Sequence, residues 1–410
     1  MLVISNRFPY PILDGADLRK YYLTRALAAK HSVTLVCQPT EPPADNDLAH
    51  MQSFLDEVTL FVRKPEPRAE PPRTLGRQIS ELFGDPAEYF VPYPIYDDVL
   101  KYIRDSVRSG GYDGVLVYGF SMRKYGEGID TIPVVYDICD VPSVFLRRLI
   151  PHKHGIANKL RGLKEWWMMK RFEKRELGKL GEILLVSSED AKVFRAECPQ
   201  VNVTVIPNGV DAEFFRSGRT EPVRNHRLLF TGVMDYPPNV TAMTYFCKRI
   251  WPLVRAQVPD SQLQIVGRKP VPEVMELQEQ YEGVEVTGAV DDIRDYFDTA
   301  RVYVCSLQSG SGIKNKILES WAMELPVVAT SLSCEGIEIS PEKDILVADK
   351  PESFAEQVVR LLSDREICDK LARNGRRKVE ERYSWDSRAM MLGGLFGELA
   401  RQTDRPVTGK

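Results

Sequence analysis

Short apolar runs alternate with helical patterns along almost the whole 410-residue chain, and this alternation restricts the fold more than any other feature. Runs of this length, bounded by turn residues and separated by amphipathic stretches, are strands of parallel sheets whose crossovers are helices. In the first half the strands read as Leu2–Ser5, Val33–Cys37, Val58–Phe61, Val115–Tyr118, Val134–Tyr136, Ile183–Val186 and Val203–Ile206. Helical patterns cover Asp17–Lys30, Tyr96–Arg108 and Asn158–Leu180. The proline-bearing stretches Gln38–Asp47 and Lys64–Arg73 read as surface loops. A turn at Pro207-Asn208-Gly209-Val210-Asp211 and a polar linker at Ser217–Asn225 then precede a second set of elements. Its strands are Leu228–Thr231, Leu263–Val266, Val284–Thr287, Val302–Cys305, Val327–Ala329 and Ile345–Val347. Its helices are Asn239–Val258, Val271–Tyr281, Ile293–Asp298, Lys314–Met323, Glu352–Leu362 and Arg365–Arg382.

This length exceeds one ordinary core. The expectation is two consecutive doubly wound α/β domains, residues 1–210 and 211–384, with a last helix at about 385–402 crossing back to the first. Ligands of such sheets bind beyond the carboxyl ends of the strands, so a ligand shared by both domains is expected in a cleft between them. The formal net charge is −3 with both signs mixed, which gives no global argument for nucleic acid. No Cys/His cluster has zinc-ligand spacing. The seven scattered cysteines read as reduced thiols of a cytoplasmic protein. The amino-terminal apolar run reads as a strand rather than a signal peptide, and no run reaches the ~20 apolar residues that span a bilayer.

The most telling chemistry lies at Ser309-Gly310-Ser311-Gly312-Ile313-Lys314-Asn315-Lys316-Ile317-Leu318-Glu319, between an apolar strand and a helical pattern. Unpartnered first-turn N–H groups and the helix dipole make an anion site there, and Lys314 and Lys316 add positive charge. The spacing is not that of a Walker A loop. A diphosphate fits, against the plainer reading of a geometric turn with two solvated lysines. Glu319, one turn into the helix, can accept two hydrogen bonds from vicinal hydroxyls such as a ribose offers. Its plainer reading is an exposed helix glutamate.

Five segments together resemble the retaining nucleotide-sugar glycosyltransferases of the GT-B fold, family 4 (glycosyltransferase group 1). They are Gly15-Ala16-Asp17-Leu18-Arg19, Val205-Ile206-Pro207-Asn208-Gly209-Val210-Asp211, Phe230-Thr231-Gly232, Ile265-Val266-Gly267, and the 309–319 run with Pro326-Val327-Val328-Ala329-Thr330. Gly232-Val233-Met234-Asp235-Tyr236-Pro237-Pro238-Asn239 and the donor loop are similar to a bacterial subgroup associated with exopolysaccharide or exosortase loci. The resemblance implies a fold of two Rossmann-like parallel-sheet domains and transfer of a sugar from a nucleotide-diphosphate sugar. The acceptor is a glycan, a lipid-linked molecule or another hydroxyl. It assigns donor binding to Gly15, Gly232, Gly267, Arg268, Thr287, Gly310, Ser311, Gly312, Ile313, Lys314, Asn315 and Glu319. Catalytic roles fall to Asp140, Arg19 and Lys314, and loss of Arg19 is expected to reduce turnover more than stability.

There are departures from that pattern. The first of the family's two donor-site glutamates is replaced by Ser311, while the second is Glu319. Met234 and Tyr236 stand where an Arg and Lys pair grips the diphosphate. The active-site histidine aligns with Cys139, leaving Asp140. Positive charge must then come from Lys314, Lys316, Arg268 or Arg19, with Lys314 the first choice. No Asp-x-Asp motif is present and Asp291-Asp292 reads as a helix N-cap, so no metal or cofactor is expected. A UDP-sugar is favoured over a GDP-sugar, although the residue types do not separate the bases. Asp137 and Asp140 either orient acceptor or sugar, or cap the helix starting near Pro142-Ser143.

The segment 147–179 is basic, with Leu163, Trp166, Trp167, Met168, Met169 and Phe172 at near-helical spacing. Such a segment either lies peripherally on an anionic membrane face or is a packing helix with a solvated rim; packing is favoured. Two further functional classes stay open: a nucleotide-sugar epimerase of the same fold, and a non-catalytic scaffold that binds a nucleotide sugar.

Overall fold

The computed structural model describes residues 1–63, 95–153, 155–219, 223 and 225–403. The loop read at Lys64–Arg73 lies outside the described residues, as does part of the Ser217–Asn225 linker. The chain divides into two compact units, Met1–Pro207 with Asp386 onward, and Asn208–Trp385.

The first unit is built on a parallel sheet of strands β1 (Leu2–Ser5), β2 (Thr34–Cys37), β3 (Glu57–Leu60), β4 (Val115–Tyr118), β5 (Val134–Cys139), β6 (Glu182–Leu185) and β7 (Asn202–Val205). Their order is β3-β2-β1-β4-β5-β6-β7. Every residue of β1, β2, β4 and β6 is buried, whereas the edge strands β3 and β7 are partly exposed. That gradient is what helices on both faces of a parallel sheet produce. The helix Trp385–Thr403 completes the cover: Ala389, Leu392 and Phe396 are buried. A Cβ on Gly114 would meet the Phe396 ring at 2.7 Å, so a side chain there would displace the helix.

The second unit repeats the plan with β8 (Arg227–Thr231), β9 (Gln262–Val266), β10 (Val284–Gly288), β11 (Val302–Cys305), β12 (Val327–Ala329) and β13 (Leu346–Val347). All pairings are parallel, in the order β10-β9-β8-β11-β12-β13. In both sheets the connection reverses direction at one place, between β1 and β4 and between β8 and β11. The carboxyl ends of those strand pairs are where a doubly wound sheet leaves a crevice.

Three sequence expectations are corrected. Residues read as loop near Asp45 begin a helix, Asp45–Gln52. Ser188–Glu197 is an unforeseen helix, capped by the Ser187 hydroxyl accepting from the Asp190 N–H. The helix expected over Asn239–Val258 runs as Pro237–Tyr245, a π turn at Phe246–Ile250, and Trp251–Gln257. Pro252 brings no N–H to the ladder, and the wider turn absorbs the interruption. No described helix is long and apolar enough to cross a membrane.

Candidate active site

In the second unit the strand ends beside the switch point, those of β8, β9 and β10, are held by tight backbone contacts. The Gly232 N–H donates to the Val266 carbonyl at 3.0 Å, and the Gly267 N–H to the Gly288 carbonyl at 3.1 Å. A Cβ on Gly267 would lie 1.6 Å from the Gly232 carbonyl oxygen, so only glycine lets β8 and β9 end side by side. Met234 is buried and its N–H donates to the Arg268 carbonyl at 2.9 Å. Half-buried Thr287 and Gly288 end β10 next to them, the Thr287 hydroxyl donating to the Gly288 carbonyl at 3.0 Å.

The loop after β11 carries the remaining residues that the resemblance assigns to the donor. Gly310 and Gly312 have φ of 124° and 64°, a region that disfavours side chains. The helix that follows spans Asn315–Ala322, and its N-cap Lys314 gives no side-chain cap. Its buried face is Ile317, Leu318, Trp321 and Ala322. Trp321 donates from Nε1 to the Asp344 carbonyl at 3.0 Å, and a Cβ on Gly375 would come within 2.4 Å of its ring. Burying that face seats the helix and leaves Asn315, Lys316 and Glu319 on the less buried side. Asn315 is held within the same unit by the Asn208 amide at 3.0 Å.

The two lysines do different work. Lys314 is buried, and its ammonium donates to the Ser311 carbonyl at 2.8 Å and to the Gly312 carbonyl. It clasps the glycine loop. Lys316 crosses to the end of β8, donating to Asn239 Oδ1 at 2.8 Å and standing 4.0 Å over the centre of the Phe230 ring. Its ammonium nitrogen is 3.1 Å from where a Gly232 Cβ would be. Lys316 therefore puts a charge beside the turn where Met234 and Tyr236 supply none. Burial lowers Lys316 to about 8, against the upward pull of Cys305 and Glu319. Burial raises the Glu319 carboxyl to about 7, although Lys316 one turn away draws it down. The ammonium of Lys314, ranked first as the diphosphate cation, is thus engaged by two loop carbonyls, and that of Lys316 by Asn239 and the Phe230 ring.

Gly15, Arg19 and Asp140 belong to the first unit. Gly15 opens the helix Gly15–Ala28, whose cap is already filled: Asp14 Oδ1 accepts from the N–H groups of Ala16 and Asp17 at 2.9 and 3.0 Å. Arg19 is 1% exposed; Nε donates to Asp137 Oδ2 at 2.7 Å and Nη1 to the Ile206 carbonyl at 2.9 Å. The expectation of a substrate-facing arginine gives way to an internal strut. Asp137 is fully buried in that pair and does not face an acceptor.

Asp140 follows a strained turn. Cys139 has φ of 62°, its N–H donates to Asp137 Oδ1 at 3.3 Å, and the register with β6 slips there. Burial first, then Asp137, pushes the Cys139 thiol well above its ordinary pKa, which disfavours the thiolate form a nucleophile needs. Asp140 is not the cap of the next helix: Glu173 takes the Ser143 N–H at 2.7 Å and hydroxyl at 2.6 Å.

Sequence reading missed a polar cluster beyond β1. Arg7 pairs with Asp14 at 3.0 Å and Asp17 at 2.5 Å, and buried Lys20 donates to Asn6 Oδ1 at 3.1 Å. The available signal was the pair Asn6-Arg7 directly after a strand, with Asp17 and Lys20 three apart on the following helix. Asp292 does not cap the 294–299 helix as an N-cap residue; it accepts from the Arg294 N–H at 2.9 Å and pairs with its guanidinium.

Comparison with known proteins adds the chemistry class. The family described as glycosyl transferases group 1 matches residues 225–364. A Klebsiella pneumoniae protein named as an uncharacterized 44.6 kDa protein in the cps region is 21% identical over 93% of this chain and 96% of its own. The sucrose-phosphate synthase of Thermosynechococcus elongatus superposes with a TM-score of 0.69 at 16% identity, covering 98% of this chain and 99% of its own. Anabaena HepE in complex with UDP-glucose gives 0.64 at 14% identity, covering 97% and 99%. Two parallel-sheet units of this topology give the chain a GT-B fold, and a glycosyl transferases group 1 domain lies across its second sheet.

Proposed function

We propose that the enzyme transfers a sugar from a nucleoside-diphosphate sugar, UDP favoured, to a hydroxyl of a glycan or lipid-linked acceptor, with retention and without a metal. The observation that carries this reading is the pairing of Lys316 and Glu319 on the less buried side of the Asn315–Ala322 helix, at the β8/β11 switch point. The diphosphate sits at the first turn of that helix against Lys316, while the ribose hydroxyls donate to Glu319. Arg268, Thr287 and Gly288 lie where the base would extend across the neighbouring strand ends. The bound UDP-glucose of HepE supports the uridine choice. The cps-region setting of the Klebsiella relative supports polysaccharide biosynthesis.

In the transfer step the bond from the anomeric carbon to the diphosphate oxygen breaks and the acceptor oxygen attacks the same face. The departing phosphate oxygen takes the acceptor's proton. Lys316 and the helix terminus stabilise the charge that grows on the leaving diphosphate. Lys314 keeps the glycine loop in shape, and Asp140 orients the acceptor. Arg19 positions Asp140 indirectly, through Asp137 and the turn at Cys139.

A charge-assisted hydrogen bond is worth about 1.5–3 kcal/mol, and ~1.4 kcal/mol is tenfold in rate. Lys316→Met is therefore expected to slow transfer by roughly tenfold to a hundredfold with the fold intact. Turnover of a UDP- and GDP-sugar panel, with product anomers read by NMR and repeated with chelator, tests the whole reading. An inverted product removes retention, loss of turnover with chelator removes metal independence, and wild-type kinetics in Lys316→Met removes the carrying observation.

A further inference from the structure

The helix Ile156–Glu176 is half built into the first unit and half out of it. Met168, Met169 and Phe172 are buried, and Glu173 is locked to Ser143. Residues 156–161, by contrast, are exposed on every side of the helix. Along that exposed part runs a continuous apolar stripe: Ile156 is 80% exposed, Leu160 60%, Leu163 45% and Trp167 42%. Spacings of four, three and four residues bring all of them within an arc of roughly 60°. Ile156 is the most exposed large apolar side chain among the described residues. A scattered apolar residue on a surface needs no explanation; a register-perfect row facing outward does.

Charge says what the row faces. At about 100° per residue, Lys159 and Lys164 flank the stripe on its two sides, Arg171 continues its rim, and Lys174 closes its carboxyl end. Arg171 lies 4.8 Å over the centre of the Trp167 ring. The acids of the helix are elsewhere: Glu165 and Glu176 fall on the opposite face, paired with Lys153 at 2.9 Å and Arg123 at 2.7 Å. Glu173 is buried. Two copies meeting stripe to stripe would press like-charged rims together. An apolar row with aromatic anchorage and a basic rim instead complements lipid tails beneath anionic headgroups.

We infer that the Ile156–Leu160–Leu163–Trp167 stripe seats this enzyme peripherally on an anionic bilayer, with Lys159, Lys164, Arg171 and Lys174 on the headgroups. The inference goes beyond the donor chemistry and does not depend on it. Seated there, the first unit would meet acceptors anchored in the same membrane.

Co-sedimentation of the full chain with vesicles of phosphatidylcholine alone, or mixed with phosphatidylglycerol, tests it. Binding is expected with the mixed vesicles only, weakening as salt rises. Each basic side chain near an anionic surface strengthens binding by about a factor of five, so Lys159→Gln with Lys164→Gln should lose roughly twenty-fivefold. Leu160→Asp should lose tenfold or more, and Trp167→Phe should abolish the blue shift of tryptophan emission on adding mixed vesicles. Donor hydrolysis in the absence of vesicles should match wild type in all three, which separates this idea from the donor-site reading. Equal binding to both vesicle types, or unchanged binding by Leu160→Asp, overturns it. So does a lipid-free dimer that Leu160→Asp dissociates, since a second copy would then own the stripe. A large drop in the melting temperature of Leu160→Asp also overturns it, because the stripe would then be covered by its own chain.

Discussion

Arg19 and Asp137 are 118 positions apart in sequence and 2.7 Å apart in the fold, buried together. Removing one partner of such a pair strands the other charge, at a cost of about 3–5 kcal/mol. Arg19→Ala should therefore lose that much stability in urea unfolding, while the paired replacement Arg19→Met with Asp137→Leu should recover most of it. Recovery of stability without recovery of turnover would show that the strut also sets Asp140. This pair was illegible beforehand, because nothing local links a helix residue to a strand so far along the chain. Lys314 and Lys316 were both legible as cations, but their directions were not. The turn of the glycine loop folds one back, and the packing of Trp321 sends the other across to the end of β8. Their titration yields a second expectation. Glu319 must be ionised to accept from ribose hydroxyls, so affinity should fall as pH drops below about 7. Lys316 must be charged to hold a diphosphate, so affinity should fall again as pH rises past about 8. UDP titrations by calorimetry across that range should show a narrow maximum, and Lys316→Met should retain the acidic limb alone.

At the scale of elements, the strands were the most legible part. Burial on both faces demands unbroken apolar runs, and such runs are visible without knowing the fold. Helices whose identity rests on a cap or on tertiary cover were not, as Ser188–Glu197 and Asp45–Gln52 show. Gly267 was legible as a motif glycine, but its reason emerges only when β8 and β9 are set side by side. Gly267→Ala would drive a methyl into the Gly232 carbonyl. Overpacking of this kind costs ~1–3 kcal/mol or more. Donor affinity should fall further than stability does, since the displaced turn is the one Lys316 approaches; equal affinity in calorimetry would separate the turn from the site.

The molecule as a whole consists of two units, one of which the chain enters twice. Residues assigned to the donor lie mostly in the second unit, so UDP should protect amides of 208–385 in hydrogen exchange, by mass action on that unit alone. Equal protection in both units would contradict that assignment. The returning helix has a consequence for birth as well as for stability. Phe396 and Leu392 are buried in the first unit, yet they are translated after the entire second one. At ~5–20 residues per second, a ribosome takes roughly ten to forty seconds to cross that intervening stretch. Throughout that interval the nascent first sheet keeps a bare apolar flank, and the later-made half of the protein is the one that can close on itself before it.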